Sequence, residues 1–155
     1  MPTFQVGSWS IEFDAEATAR CVQAISSGAP EKCGCADCHR FAAARSAAYP
    51  ASFVELLRTL GTQPTSETEI FYLGEVSPGH HQYGGWFHVV GRLIGGPDAK
   101  ATPSIHYEAL EAPLAIGFTN ARDLAAEAFG GQHLLQVEFV TEVIEADSQH
   151  GDHAD

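Results

Sequence analysis

The chain has 155 residues, 45% of them apolar and 18% charged, with a net charge of −12 from 20 acidic and 8 basic side chains. That length buries roughly two-thirds of the unfolded surface and needs no covalent staple. The acidity repels nucleic-acid backbones and anionic membranes, and no Lys/Arg cluster offsets it locally, so direct nucleic-acid binding is excluded as a reading.

The opening residues, Met1 to Val6, carry no positive segment followed by an apolar run, and no apolar stretch approaches the ~20 residues of a membrane helix. The expectation is a cytoplasmic protein whose thiols stay reduced.

Phe4 and Val6 alternate, and Trp9, Ile11 and Phe13 alternate in the other phase, with Gly7-Ser8 at the change. This pattern predicts an edge strand with a bulge or turn, or two short strands. Asp14 caps a helix running to about Ser27, with Ala17, Cys21, Ala24 and Ile25 on its apolar face, and Gly28-Ala29-Pro30 ends it. The cysteine stretch then reads as a tight turn. Asp37 caps a second helix over 38–48, broken by Tyr49-Pro50. A third carries Phe53, Leu56, Leu57 and Leu60, with Gly61 after its end.

From Glu69 the period changes to strand. Glu69 to Val76 is rich in β-formers, Ser77 to Gly84 reads as loop, and Gly85 to Ile94 as a central strand covered on both faces. Gly95 to Pro103 is a loop. Ile105 to Tyr107 and Leu114 to Thr119 follow as strands, and Asn120 caps a short helix over Ala121 to Phe129. The last strand sets Leu135, Val137 and Phe139 against Gln136 and Glu138, one face buried and the other wet. The fold class is α+β, with N-terminal helices packed on a mostly antiparallel sheet: one domain over 1–145 and a disordered acidic, histidine-bearing tail over 146–155.

The chemistry concentrates in Cys33-Gly34-Cys35-Ala36-Asp37-Cys38-His39. Three thiols in six residues point to a thiolate metal site, Zn²⁺ first, because thiolates suit a borderline-soft ion and Cys-x-x-Cys is the knuckle spacing such sites use. There is no second knuckle, so the fourth ligand comes from elsewhere. Cys21 is the candidate, although its place on an apolar helix face equally makes it a core residue. Redox chemistry at Cys35/Cys38 is the alternative, because a thiol at a helix N-terminus is more acidic; Asp37 between the two works against it, and no thioredoxin-like strand-helix-strand frame surrounds them. Cys35-x-x-Cys38-His39 also matches the c-type haem pattern, but the only methionine is Met1, so the common distal ligand is missing.

Elsewhere, the stretch from Gly79 to His88 reads as a tight loop entering a buried strand in preference to a pocket. Glu55, Glu67, Glu69 and Glu75 read as solvated acids, and His150 and His153 as tail residues. No known catalytic motif is present. The reading is a binding protein for an unknown protein or small-molecule ligand. An acidic inhibitor of a basic partner is a further possibility.

Cys33-Gly34-Cys35-Ala36-Asp37-Cys38, then Phe41, Tyr49-Pro50, Leu56-Leu57, Leu60-Gly61 and Tyr83-Gly84-Gly85-Trp86-Phe87-His88-Val89-Val90-Gly91, resembles a set of small uncharacterised bacterial proteins. These share a Cys-x-Cys-x-x-Cys stretch and a later Gly-Trp-aromatic strand. The resemblance covers most of Trp9 to Val143. Those proteins usually follow the third cysteine with Arg-Asn where this chain has His39-Arg40. The resemblance therefore implies that His39 is incidental, and it implies a thiol site without a reaction.

Overall fold

The computed structural model describes residues 1–25, 27–101 and 104–145. The tail expected over 146–155 lies outside the described residues. The fold is α+β, as the patterning predicts. Seven strands form one sheet: β1 (Thr3–Val6), β2 (Trp9–Phe13), β3 (Glu69–Ser77), β4 (His80–Gly95), β5 (Glu108–Glu111), β6 (Leu114–Thr119) and β7 (Leu134–Ile144). Four helices precede β3: α1 (Ala15–Gln23), α2 (Ala29–Cys33), α3 (Ala36–Ala48) and α4 (Ala51–Leu60). No described helix is long and apolar enough to cross a membrane.

The sheet runs β1-β2-β4-β7-β6-β5, and every pairing is antiparallel. The long strand β4 organises it. One edge pairs with β7 from His80 to Val90. The other is divided between β3, along His80 to Trp86, and β2, along Gly91 to Gly95. In the gap between them, Asp14 N–H donates to the Val90 carbonyl (2.8 Å), and Val90 N–H donates to Thr18 Oγ1 (2.8 Å). The first turn of α1 thus satisfies the backbone groups that no strand reaches. Asp14 caps α1 as expected, its Oδ1 accepting from Ala17 N–H at 2.9 Å.

Alternation along β4 sends Tyr83, Phe87 and Val89 to one face, where α3 and α4 cover them. Phe41, Tyr49, Phe53, Phe87 and Phe139 form an aromatic core with neighbouring ring centroids 5.3–5.9 Å apart. Each is buried, and each fully buried large side chain contributes about 1.5–3 kcal/mol of transfer free energy. The opposite face carries a smaller core of Ala17, Cys21, Val22, Val90, Phe129 and Leu134.

Five expectations need correction. The first helix ends at Gln23, and the turn after it contains the short helix α2, because a proline in the first turn gives up only an N–H with no helical partner. The loop expected over Ser77 to Gly84 is mostly strand: β4 starts at His80. Gly79, with φ 78°, makes the tight turn between β3 and β4, whereas Gly84 permits close packing, since a Cβ there would lie 2.6 Å from the Phe71 ring. The strand expected at Ile105 to Tyr107 falls at Glu108–Glu111 instead. The helix expected over Ala121 to Phe129 is a single 3-10 turn, Glu127–Phe129; Asn120 does not cap it, because its Oδ1 accepts from Leu93 N–H on β4 (2.9 Å). Finally, the polar face of β7 is dry: Gln136 and Glu138 are fully buried.

That dry face holds a hydrogen-bonded chain. Thr68 Oγ1 and Gln136 Oε1 flank the His88 ring nitrogens at 3.0 and 2.8 Å. Gln136 Nε2 donates to Glu138 Oε2 (2.5 Å) and to Asp123 Oδ2 (3.1 Å), and Asp123 also pairs with Lys100 at 2.5 Å. Burial lowers the His88 pKa, and the bond to Gln136 opposes it less strongly, so the imidazole is neutral. Glu138 Oε1 has no partner, and burial raises its carboxyl above the ordinary range.

Candidate metal site

Two short helix ends build the site. Cys33 is the last residue of α2. Gly34 follows with φ 72°, a left-handed conformation that a glycine adopts without a Cβ penalty, and its N–H donates to the Pro30 carbonyl. The chain reverses there, so that Cys35 becomes the N-cap of α3, with its Sγ accepting from Cys38 N–H at 3.4 Å. Cys38 lies one turn into the helix, on the same side.

The sulfurs of Cys33, Cys35 and Cys38 consequently converge, all lying within 4.8 Å of one another. Three thiolates at tetrahedral angles about an ion with bonds of ~2.3 Å stand about 3.8 Å apart, so closure on an ion requires shifts of about 1 Å or less. Cys33 and Cys35 are exposed, Cys38 is buried, and all are free thiols. The Cys38 N–H, then the Cys33 thiol, lower the Cys35 pKa. Burial first, then the neighbouring sulfurs, push Cys38 up to about 12. A cation placed among the three would stabilise the thiolate forms that burial and the crowding of the sulfurs oppose.

The surrounding residues hold the turn in place. Tyr83 O–H donates to the Asp37 carbonyl (2.7 Å), and Arg40 donates to Tyr83 Oη (2.9 Å) and to Asp37 Oδ1 (3.0 Å) while lying over the Tyr72 ring. Further along α3, Arg45 reaches Glu31 on α2 and both oxygens of Glu67, which also accepts from Tyr49 O–H at 2.8 Å. Ala29 N–H donates to the Glu67 carbonyl. Glu67 is therefore not the solvated acid that the sequence suggests: it is buried, and it ties α2 and α3 to the chain entering β3.

Cys21 is not brought to the trio. It sits in the smaller core, where Gln132 Nε2 donates to its Sγ at 3.4 Å. His39 is exposed beside Cys38 and belongs to no metal-type cluster among the described residues. A second group of possible donors, Glu75, His81 and Glu145, does converge within 4.8 Å. Sequence reading missed it because the three residues are distant in the chain, and only strand register makes them neighbours. Surface cavities lie elsewhere. One of about 500 Å³ is lined by Arg92, Asn120, Arg122 and His133, but Arg92 is paired with Glu12 and Arg122 with the Gly130 and Gln132 carbonyls.

No family model, curated protein or solved structure matches this chain.

Proposed function

We propose that this chain is a metal-binding protein of the cytoplasm whose Cys33, Cys35 and Cys38 hold one Zn²⁺, and that its activity is binding a protein or a small ligand. The observation that carries this reading is the convergence of three sulfurs on one turn between two clamped helices. The ion ties the end of α2 to the start of α3. No fourth protein donor joins the three among the described residues, which leaves one position of a tetrahedral ion for water or for a donor from a bound partner.

Structural zinc in small peptides contributes ~10–16 kcal/mol, so even a fraction of that registers in the melting of a domain this size. Elemental analysis of protein purified without a histidine tag should find about one zinc per chain. Cys33→Ser with Cys35→Ser should abolish it, and chelation should lower the Tm of the unsubstituted chain but not of this variant. A metal-free chain that forms a reversible Cys35–Cys38 disulfide would overturn the reading in favour of thiol redox chemistry. Metal lost from a Cys21→Ala variant would overturn the three-ligand assignment.

A further inference from the structure

We propose that Glu75, His81 and Glu145 form a second divalent-cation site, one with nitrogen and oxygen donors, at the end of the sheet where β3 turns into β4. Two strands supply Glu75 and His81, and Glu145 follows directly on the end of a third, β7. Glu75 on β3 is the direct cross-strand partner of His81 on β4, and His81 is opposite Val143 on β7. Glu145 lies two residues beyond Val143, which in a pleated strand returns it to the same face. That is the face covered by α3.

The turn between β3 and β4 fixes both acids. Gly79 N–H donates to Glu75 Oε2 at 2.9 Å, and Glu145 N–H donates to the Gly79 carbonyl at 2.7 Å. His81 is buried, and its Nδ1 is held by the Tyr72 hydroxyl at 2.7 Å. Its Nε2 therefore faces the acids, 2.5 Å from Glu145 Oε2 and 4.0 Å from Glu75 Oε2. A buried imidazole oriented through its second nitrogen is the arrangement that metal-ligating histidines adopt. Because a hydroxyl can donate or accept, Tyr72 serves equally well when Nδ1 carries the proton, the tautomer required once Nε2 binds an ion.

Charge points the same way. Among the described residues, the one ion-pair partner of the two carboxylates is the His81 imidazole, in a chain that already carries −12. A divalent ion at bond lengths of ~2.0–2.2 Å holds neighbouring donors about 3.0–3.5 Å apart, depending on coordination geometry, which opens the short His81–Glu145 contact and closes the long His81–Glu75 one. One imidazole and two carboxylates accept Mn²⁺ or Fe²⁺ as well as Zn²⁺, whereas the thiolates of the cysteine trio favour Zn²⁺ over Mn²⁺. Tyr72, Arg40 and Tyr83 join the two sites through ring and hydrogen-bond contacts, so both lie at the α3 N-terminal end of one face.

Mn²⁺ is the discriminating probe, because it shuns thiolates. Titration of the full chain with Mn²⁺, following loss of the free-ion EPR signal, should show about one saturable equivalent. Glu75→Gln and Glu145→Gln keep the side-chain volume on partly exposed residues, and each should weaken binding at least about tenfold. Cys33→Ser with Cys35→Ser should leave binding unchanged, as should His150→Ala with His153→Ala. Absence of saturable binding overturns the proposal. So does affinity unchanged in both Gln variants, which would mark diffuse attraction to an acidic surface. Loss of binding in the His150/His153 variant would move the site to the tail and overturn it equally.

Discussion

Arg45→Met tests the clamp that holds the cysteine turn. The Arg45 side chain is 12% exposed and Glu67 is 0% exposed, so their pair is shielded from water on both sides. Methionine keeps the stem packed and removes the guanidinium, leaving a buried carboxylate with Tyr49 as its one remaining side-chain donor. Stranding one charge of a buried pair costs about 3–5 kcal/mol. With an unfolding entropy of ~2.1 cal/mol/K per residue, 155 residues give about 0.33 kcal/mol/K, so Tm should fall by about 9–15 °C. Calorimetry and urea melts at neutral pH measure this. Burial raises the Glu67 pKa, and its bonds to Arg45 and Tyr49 pull it back. Without Arg45 it rises further. Stability linked to its protonated form is present at low pH and lost as pH rises through that value, so the variant's deficit should shrink on acidification. Adding Glu67→Gln, which removes the stranded charge and keeps an acceptor for Tyr49, should restore at least half of the loss. A deficit below about 1 kcal/mol, or no recovery in the double variant, would refute the reasoning.

Two more outcomes follow from burial. Phe53→Ala removes a fully buried ring from the aromatic core and should cost about 3–5 kcal/mol in denaturant melts; a loss below about 1 kcal/mol would mean that α4 repacks. Glu138→Gln replaces a buried carboxylate, raised by desolvation and with one oxygen unpartnered, by a neutral isostere. It should stabilise the chain by on the order of 1 kcal/mol near pH 8, and the gain should shrink as pH falls through the raised native value and vanish below the ordinary glutamate pKa of about 4.3, where the folded and unfolded carboxyls are both protonated. Equal stabilisation at pH 4 and pH 8 would contradict the assignment.

The sequence carries the features that depend on near neighbours. Hydrophobic periods place α1, α3, α4 and the β2, β4 and β7 cores, and the spacing of Cys33, Cys35 and Cys38 about a glycine turn already puts three sulfurs within reach of one another. What it hides depends on distant partners. Gly84 looks like a loop residue until β3 packs across it. Glu67 looks solvated until Arg45 and Tyr49 arrive from another helix. Cys21 offers a thiol, but the Gln132 loop and Phe129, both from the far end of the chain, hold it in the smaller core. Asn120 has the chemistry of a helix cap and is used instead to pin the edge of β4. His81 becomes the neighbour of Glu75 and Glu145 only through pairings that span β3, β4 and β7.

The order of elements along the chain has a consequence for biosynthesis. The aromatic helices α3 and α4 emerge early, yet the floor they rest on is β4 and β7, and β7 is the last of the described strands in chain order. During translation Phe41, Tyr49 and Phe53 therefore emerge well before the strand that covers them. The N-terminal hairpin waits likewise for the far half of β4. Pairings this far apart in the chain carry a loop-closure cost that must be met before their contacts form, a topology that favours slow folding.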